Sequence, residues 1–182
     1  MGKGQPLVAS VNSLDGTDDS AVVFSVVSYV NVVLAEGGDE SDLHTDALGL
    51  YAVDHFHGQV LNGGFSQFVY NSGWNDAMNH DIAETLLKIG AHEYLAYFTQ
   101  RREFVNSPDV AAGLDEFFRS DYFGENAFRD SLNDDAYFEI SADLGALMAQ
   151  WVRSHPDLQP HTIDEMFERA EAIVGHPIER EH

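Results

Sequence analysis

The sequence predicts an all-α protein, built as a single compact domain of six to eight helices. Apolar residues recur at steps of three and four through most of the chain after Asp42, which is the period of a helix with one buried face. Residues that start and stop helices bound these segments, and none of the segments shows the apolar–polar alternation of a strand. The length of 182 residues, with 44% hydrophobic residues and no linker rich in Pro, Gly or Ser, indicates one globular domain.

The N-terminal part is less regular. Residues 1–20 are polar, contain glycine and have no apolar period, which predicts a flexible polar tail before a helical domain of residues 21–182. Residues 21–34 are rich in valine, and β-branched residues favour a strand. The same residues also fit helical spacing, as Val22 and Val26 illustrate. The pattern leaves helix and strand open for this segment.

Three central helices carry clear boundary signals. The segment from Asp42 to Leu61 has an apolar stripe at steps of four, formed by Leu48, Ala52, Phe56 and Val60. Asn62-Gly63-Gly64 then supplies residues that tolerate positive φ and can end that helix. Asn75 can cap a helix from Asp76 to Ile89. Ser107-Pro108 begins a further helix whose apolar face extends to Phe118.

Two more helices are predicted near the C-terminus. The clearest runs from about Asp134 to Ser154, and His155-Pro156 ends it. Its continuous apolar stripe consists of Tyr137, Ile140, Leu144, Leu147, Met148 and Trp151. A last helix, from about Thr162 to Val174, places its apolar residues on one side.

The charge of the chain excludes several classes of partner. It has 31 acidic and 9 basic residues, a formal net charge of −22 at pH 7. Because that charge repels phosphate groups, direct binding to nucleic acid or to an anionic membrane is not expected. The longest apolar run, residues 21–35, is too short for a membrane span and follows an acidic segment, so a cytoplasmic location is expected. The absence of cysteine excludes disulfides, thiolate metal sites and a cysteine nucleophile.

Residues capable of catalysis or metal binding form few recognisable sets. Asp76, His80 and Glu84 stand at i, i+4 and i+8, so one helical face would carry three possible ligands of a metal-dependent hydrolase. The alternative is that they form the solvated face of an amphipathic helix. His57 has apolar neighbours at helical spacing and is expected to be a packed, hydrogen-bonded histidine. Since no nucleophile elbow or phosphate-binding loop is present, we predict no catalytic residue and no cofactor, and a binding protein is favoured over an enzyme.

Three groups of carboxylates are candidates for a surface that binds a basic partner. Duplex DNA carries one charge about every 3.4 Å along each strand, and carboxylates at i and i+4 of a helix lie about 6 Å apart along its axis, so acidic helices can imitate a phosphate backbone. The groups are a helical row of Asp135, Glu139 and Asp143, a second row of Asp164, Glu168 and Glu171, and a cluster of Glu36, Asp39, Glu40, Asp42 and Asp46. The alternative is that they are ordinary solvated faces, or the composition of an acidic or salt-adapted proteome.

One stretch resembles a known family. Residues 59–68 read QVLNGGFSQF and residues 71–73 read NSG, which is similar to the N-G-G-F-x-Q-F-x-x-N-S signature of a bacterial all-helical family long described as a domain of unknown function. The signature residues here are Asn62, Gly63, Gly64, Phe65, Gln67, Phe68 and Asn71, and the resemblance extends over roughly residues 21–160. A characterised member of that family is a dimeric DNA mimic that binds a helix-turn-helix transcription factor in place of its operator. The resemblance implies a homodimer. DNA mimicry depends on surface carboxylates, which the signature does not contain, so for this chain it is argued from the three groups of acids described above.

The signature has a structural and a functional interpretation. In the structural one, Phe65 and Phe68 return to the core after the helix ends. Gln67 and Asn71 then hydrogen-bond the backbone groups that the turn leaves free. In the functional one, Asn62, Gln67 and Asn71 line a small polar pocket for a ligand or peptide.

These observations favour an acidic, non-enzymatic binding protein, a DNA mimic that occupies the basic surface of a DNA-binding protein such as a transcription factor. A second hypothesis is an immunity- or antitoxin-like protein that neutralises a basic nuclease. A third is the metal-dependent hydrolase, and the last is a housekeeping scaffold whose acidity reflects its host.

Overall fold

The computed structural model describes residues 5–180, and the all-α prediction is confirmed for them. The helices are α1 (Val11–Asp15), α2 (Asp19–Ala35), α3 (Thr45–Gly63), α4 (Phe65–Ser72), α5 (Asp76–Lys88), α6 (His92–Val105), α7 (Pro108–Ala111), α8 (Leu114–Phe117), α9 (Ala127–Ser131), α10 (Leu144–Ser154) and α11 (Ile163–Val174). There are also two 3-10 segments, Glu40–Asp42 and Ala136–Glu139, and two short strands, β1 (Leu7–Ser10) and β2 (Leu158–His161).

These elements group into two compact units. Unit 1 contains the chain up to Tyr51 and from Asp143 onward, and unit 2 contains Ala52–Ala142. Over residues 5–180, no helix combines the length and the apolar character that crossing a membrane requires.

The core of unit 1 is built around α2. Asp18 caps the helix by accepting a hydrogen bond from the backbone N–H of Ser20. Val22, Val30 and Val33 are completely buried, and β1, α1, α10 and α11 pack against the helix. Residues 21–34, for which the sequence leaves both helix and strand open, thus form a helix. Valine is accepted because burial on most faces outweighs its small preference for strands.

The N-terminal segment is not a flexible tail where the structure describes it. Strand β1 pairs in parallel with β2, in a register that places Ser10 opposite His161, and all four residues of β1 are buried. Pairing in a sheet ties a terminal segment down. The tail prediction is therefore wrong for residues 7–20, because the polarity of the whole segment concealed a short apolar run. Residues 1–4 lie outside the described residues.

The helix predicted over residues 134–154 is interrupted. Its first part forms only the 3-10 segment, Ile140 is extended, and α10 follows. The side chain of Asp143 caps α10 by accepting a hydrogen bond from Ala146 N at 3.0 Å. Because aspartate side chains compete for backbone N–H groups in this way, a continuous apolar stripe overestimates the length of the helix.

The other predicted helix boundaries lie close to the observed ones. Asn75 caps α5, and Thr162 caps α11 in a capping box with Glu165. The helix predicted to begin at Ser107-Pro108 starts there but divides into α7 and α8, two short helices separated by Ala112-Gly113. Glycine is a poor helix residue, which accounts for the division at that point.

Aromatic side chains form the core of unit 2. The ring of Phe56 in α3 lies 5.2 Å from that of Phe68 in α4 and 5.1 Å from that of Phe98 in α6, both edge to face. All three residues are completely buried. This cluster fixes α3, α4 and α6 around the turn that joins α3 to α4.

Replacing Leu7 by Ala tests whether the N-terminal segment belongs to the folded core. Leu7 is completely buried, so we expect Leu7→Ala to lower the free energy of unfolding by about 2–5 kcal/mol. Urea unfolding followed by circular dichroism measures the change. The control is Asn12→Ala at an exposed position, which should change that free energy by less than about 0.5 kcal/mol. Equal stability of the two variants would contradict the buried strand.

Candidate functional site

The family signature forms the corner between α3 and α4 in unit 2. Gly64, between the two helices, has a φ of 80° and a ψ of −180°, a backbone region that is essentially restricted to glycine. A Cβ atom at this position would lie 2.4 Å from Oδ1 of Asn133. Both the backbone conformation and the close contact therefore require glycine here.

Two residues outside the signature bind the backbone of the corner. Ser66 N donates a hydrogen bond to Asn133 Oδ1 at 2.8 Å, and the hydroxyl of Tyr122 donates to the carbonyl of Gly63 at 3.2 Å. These partners are 67 and 59 residues apart in the chain, so no local pattern in the sequence indicates them.

The amides of the signature have a different partner from the one predicted. Gln67 Nε2 and Asn71 Nδ2 both donate to Oε1 of Gln59, at 2.9 and 2.5 Å. The prediction that they bind the backbone of the corner is wrong, because Asn133 and Tyr122 already bind it. The aromatic residues of the signature do return to the core, as predicted. A polar pocket lined by these amides and the exposed Asn62 stays a prediction.

A histidine–tyrosine pair lies beside the aromatic core of unit 2. His57 Nδ1 and the hydroxyl of Tyr137 lie 2.5 Å apart, which confirms the packed, hydrogen-bonded histidine predicted from the sequence. Burial raises the pKa of Tyr137 above its ordinary value. Tyr137 is therefore a neutral hydrogen-bonding group at physiological pH. Burial also raises the pKa of the carboxyl group of Asp54, although the nearby His57 and His55 oppose that shift.

The first predicted carboxylate row does not exist as a row. Asp135 precedes the 3-10 segment, Glu139 ends it and Asp143 caps α10. A spacing of four residues aligns side chains only along a continuous helix, and the helix is interrupted between these residues. The prediction that the three carboxylates form one helical face is wrong.

The second row lies on one helix, as predicted. Asp164, Glu168 and Glu171 all belong to α11. The guanidinium of Arg180 approaches two of them, with Nη1 2.7 Å from Asp164 Oδ1 and Nη2 4.0 Å from Glu171 Oε1. Glu168 is exposed. The C-terminal segment therefore neutralises part of this row and leaves its centre accessible.

The third group, between α2 and α3, separates into two environments. Asp39 and Asp42 form a capping box around the first 3-10 segment, and hydrogen bonds from Ser41, mainly from its backbone N–H, lower the pKa of Asp39. Glu40 is exposed beside them. Asp46 instead is partly buried next to His155 in unit 1. The predicted cluster thus contributes surface carboxylates up to Asp42 only.

The distribution of positive charge defines the character of the surface. Among residues 5–180 no carboxylate is buried, whereas five arginines lie within 4.0 Å of an acid of their own unit. These pairs are Arg101 with Asp134, Arg119 with Asp115, Arg129 with Asp130, Arg153 with Asp19, and Arg180 with Asp164. Five of the seven arginines are therefore paired within the protein, and the excess of carboxylates faces solvent.

One group of possible metal ligands occurs among residues 5–180, and it lies in unit 1. His44, Asp46 and His155 each offer a donor atom, and these atoms lie within 4.8 Å of one another. His155 Nε2 is 3.1 Å from Asp46 Oδ2, with side-chain exposures of 6% and 18%. No local pattern in the sequence indicates this cluster, because Asp46 and His155 are 109 residues apart.

Hydrogen bonds from the backbone define the tautomers of both rings. Asp46 N donates to His44 Nδ1 at 3.0 Å, and Asp157 N donates to His155 Nδ1 at 3.2 Å. Each neutral ring therefore carries its proton on Nε2, and the Nε2–H of His155 donates to Asp46. A metal ion bound at both Nε2 atoms would require their protons to move to Nδ1. There each proton would face the backbone N–H that now donates to that nitrogen. The arrangement favours a hydrogen-bonded cluster that joins the start of α3 to the end of α10.

The metal ligands predicted on α5 are not gathered into a site. His80 Nε2 lies 3.7 Å from Glu84 Oε1, and the two side chains are 65% and 55% exposed. Within residues 5–180, Asp76 does not complete a group with them. This is the geometry of a solvated helix face, and the hydrolase hypothesis has no support from it.

The fold and these sites define an acidic all-α protein with a glycine-dependent corner between α3 and α4. A family model described as DMP19-like protein matches residues 41–155, which include the corner and the histidine–aspartate cluster. The chain belongs to the DMP19-like protein family. No curated protein and no solved structure matches it.

Gly64→Ala tests the corner. The substitution introduces both backbone strain and the contact with Asn133, so we expect it to lower the free energy of unfolding by about 3 kcal/mol. Gly37→Ala is the control, because Gly37 has a φ of 87° but no atom within 4 Å of the added Cβ. We expect about 1 kcal/mol for that strain alone. Chemical denaturation of both variants measures the difference, and equal losses would contradict the role given to Asn133.

Asp46→Asn tests the histidine–aspartate cluster. It removes the charge that accepts the His155 Nε2–H, so we expect a loss of about 1–3 kcal/mol in the free energy of unfolding. Glu40→Gln at an exposed position is the control. Since backbone N–H groups donate to Nδ1 of both rings and oppose the transfer of the protons from Nε2, zinc or a chelator should leave the thermal midpoint of the unsubstituted protein unchanged. A midpoint that rises with zinc in that protein, but not in Asp46→Asn, would show that the cluster is a metal site instead.

Proposed function

We propose that this chain is an acidic, non-enzymatic binding protein that occupies the basic surface of a DNA-binding protein, such as a transcription factor, in place of DNA. The observation that carries the proposal is the excess of carboxylates at the surface. None of them is buried among residues 5–180, while five arginines lie within 4.0 Å of acids of their own unit. A basic surface is attracted by such a field over a Debye length of about 8 Å at physiological salt.

The proposed mimicry does not depend on the two helical carboxylate rows that the sequence predicts. Because the residues around Asp135 to Asp143 are not one helix, α11 alone of the two predicted rows is helical. The proposal depends instead on the density of surface carboxylates, as in the segment Glu36–Asp42. Membership of the DMP19-like family supports it, since the signature resembles that of a family with a DNA-mimic member. A homodimer, implied by the same resemblance, is part of the proposal.

Competition between the chain and DNA tests this function. The tagged full-length chain is incubated with host lysate at about 0.15 M salt, where purely electrostatic association is already screened. The retained proteins are then exposed to duplex DNA or to polyglutamate at the same charge concentration. We expect one DNA-binding protein in near-stoichiometric amount, released by the duplex at a lower concentration than by polyglutamate.

Two other results would contradict the proposal in different ways. Basic ribosomal proteins that leave with a small rise in salt, and equally with either polyanion, would show that the charge has no specific partner. A retained nuclease whose activity the chain blocks would support the immunity-like function instead. Sedimentation of the purified chain at several concentrations tests the homodimer separately.

A further inference from the structure

An apolar groove crosses the surface of unit 1 between α2 and α11. On one side lies a stripe of α2 residues spaced one turn apart: Ala21, Phe24, Ser28 and Val32. On the other side lie apolar residues of α11: Ile163, Met166, Phe167 and Ala170. The groove has a volume of about 400 Å³, which is within the range of binding clefts.

This stripe is the part of α2 that the protein leaves open. Val22, Val26 and Val30 on the other faces are at most 1% exposed, whereas Phe24 is 71% exposed. Across the groove, Ile163 is 49% exposed. Exposed apolar surface of this kind, bordered by polar residues, marks sites that bind another molecule.

Most charges beside the groove are acidic. On α11, Asp164 lies next to the edge of the stripe formed by Phe167, and the exposed Glu168 lies farther round the helix. At the other edge Arg169 forms a hydrogen bond with Tyr29, which also lines the groove. Helix α2 contains no basic residue, and Asp18 and Glu36 lie at its ends.

The chain itself shows which group these borders accept. The guanidinium of Arg180 lies 4.9 Å from the ring centroid of Phe167, one of the groove residues, and 2.7 Å from Asp164 Oδ1. An aromatic ring beside a carboxylate binds a cation through both its π face and its charge. The border of the groove is therefore complementary to arginine and lysine.

We propose that this groove binds a basic amphipathic helix of the partner protein. Apolar side chains one turn apart would enter the groove, and a lysine or arginine beside them would reach Glu168, the carboxylate of the α11 row that Arg180 leaves accessible. The α2 stripe from Ala21 to Val32 is about 16 Å long, which matches about three turns of such a helix. A second copy of the chain is a poorer occupant, because it would bring two sets of acidic borders together. The inference depends on the proposed function only for the identity of the partner.

A synthetic peptide tests the groove without that partner. The probe is a fluorescent 18-residue helix-forming peptide with leucines on one face and lysines and arginines on the others, and its affinity for the full chain is measured by anisotropy. We expect Phe24→Ala to weaken binding about tenfold, as removal of a central aromatic contact does. The control is Phe123→Ala in unit 2, where the ring is 91% exposed, and it should leave the affinity within about twofold. Thermal midpoints verify that both variants are folded.

Each of the remaining comparisons has an outcome that overturns the proposal. A scrambled peptide of the same charge that binds equally well would show that charge alone acts, and an acidic peptide that binds equally well would show that apolar contact alone acts. Equal losses in the two phenylalanine variants would place the peptide elsewhere. Self-association that Phe24→Ala abolishes would identify a second copy as the occupant. A groove that binds the peptide, together with a lysate that yields no DNA-releasable protein, would contradict the proposed function and leave the groove proposal intact.

Discussion

The net charge of −22 is the condition under which every other feature of this fold must remain stable. Like charges repel one another and oppose compaction, and they do so least where water and salt screen them. The described carboxylates all keep contact with solvent. The scarce arginines are used where the backbone is irregular, as Arg129 binds the carbonyls of Tyr122 and Gly124, and Arg101 binds the carbonyl of Leu132. These two arginines therefore stabilise loops as well as pairing with Asp130 and Asp134.

Burial of apolar surface has to offset this repulsion, and the two units achieve it differently. Unit 1 surrounds the valine-rich α2 with β1 and three helices, so the apolar core of this unit is built around a single element. Unit 2 relies on aromatic rings, whose contacts depend on the angle between α3 and α4. That angle is set at Gly64, which has no side chain to collide with Asn133. The signature of the family is therefore explained by packing in unit 2.

The sequence predicts the features that arise from neighbouring residues and misses those that arise from distant ones. Helices with a stripe and a cap, such as those that begin after Asn75 and Thr162, lie where the pattern indicates. The interruption before Asp143 is missed because its apolar residues keep a helical period while an aspartate side chain captures the backbone. The strand at residues 7–10 needs β2 to exist, and β2 lies at the other end of the chain.

The same distinction applies to the candidate sites. The carboxylates of α11 share a helix and can be predicted together, whereas the cluster of His44, Asp46 and His155 depends on the contact between the start of α3 and the end of α10. Gln59 shows that even within a single motif the role of a residue cannot always be predicted from the sequence. It lies inside the stretch that carries the resemblance, yet its role as the acceptor for Gln67 and Asn71 follows only from the angle at the corner.

Charge and apolar contact have different consequences for a binding protein of this kind. A negative field acts at a distance and mainly accelerates the encounter with any basic surface, so it selects partners poorly. Selection requires short-range contacts, which act chiefly on the rate of dissociation. In unit 1 the exposed Phe24 and Ile163 line a groove, and α11, which forms one of its walls, also carries Asp164 and Glu168. If the surface charge attracts the partner, an apolar groove bordered by acids is the feature that can distinguish one basic protein from another, because only a partner with matching apolar side chains gains from both contacts.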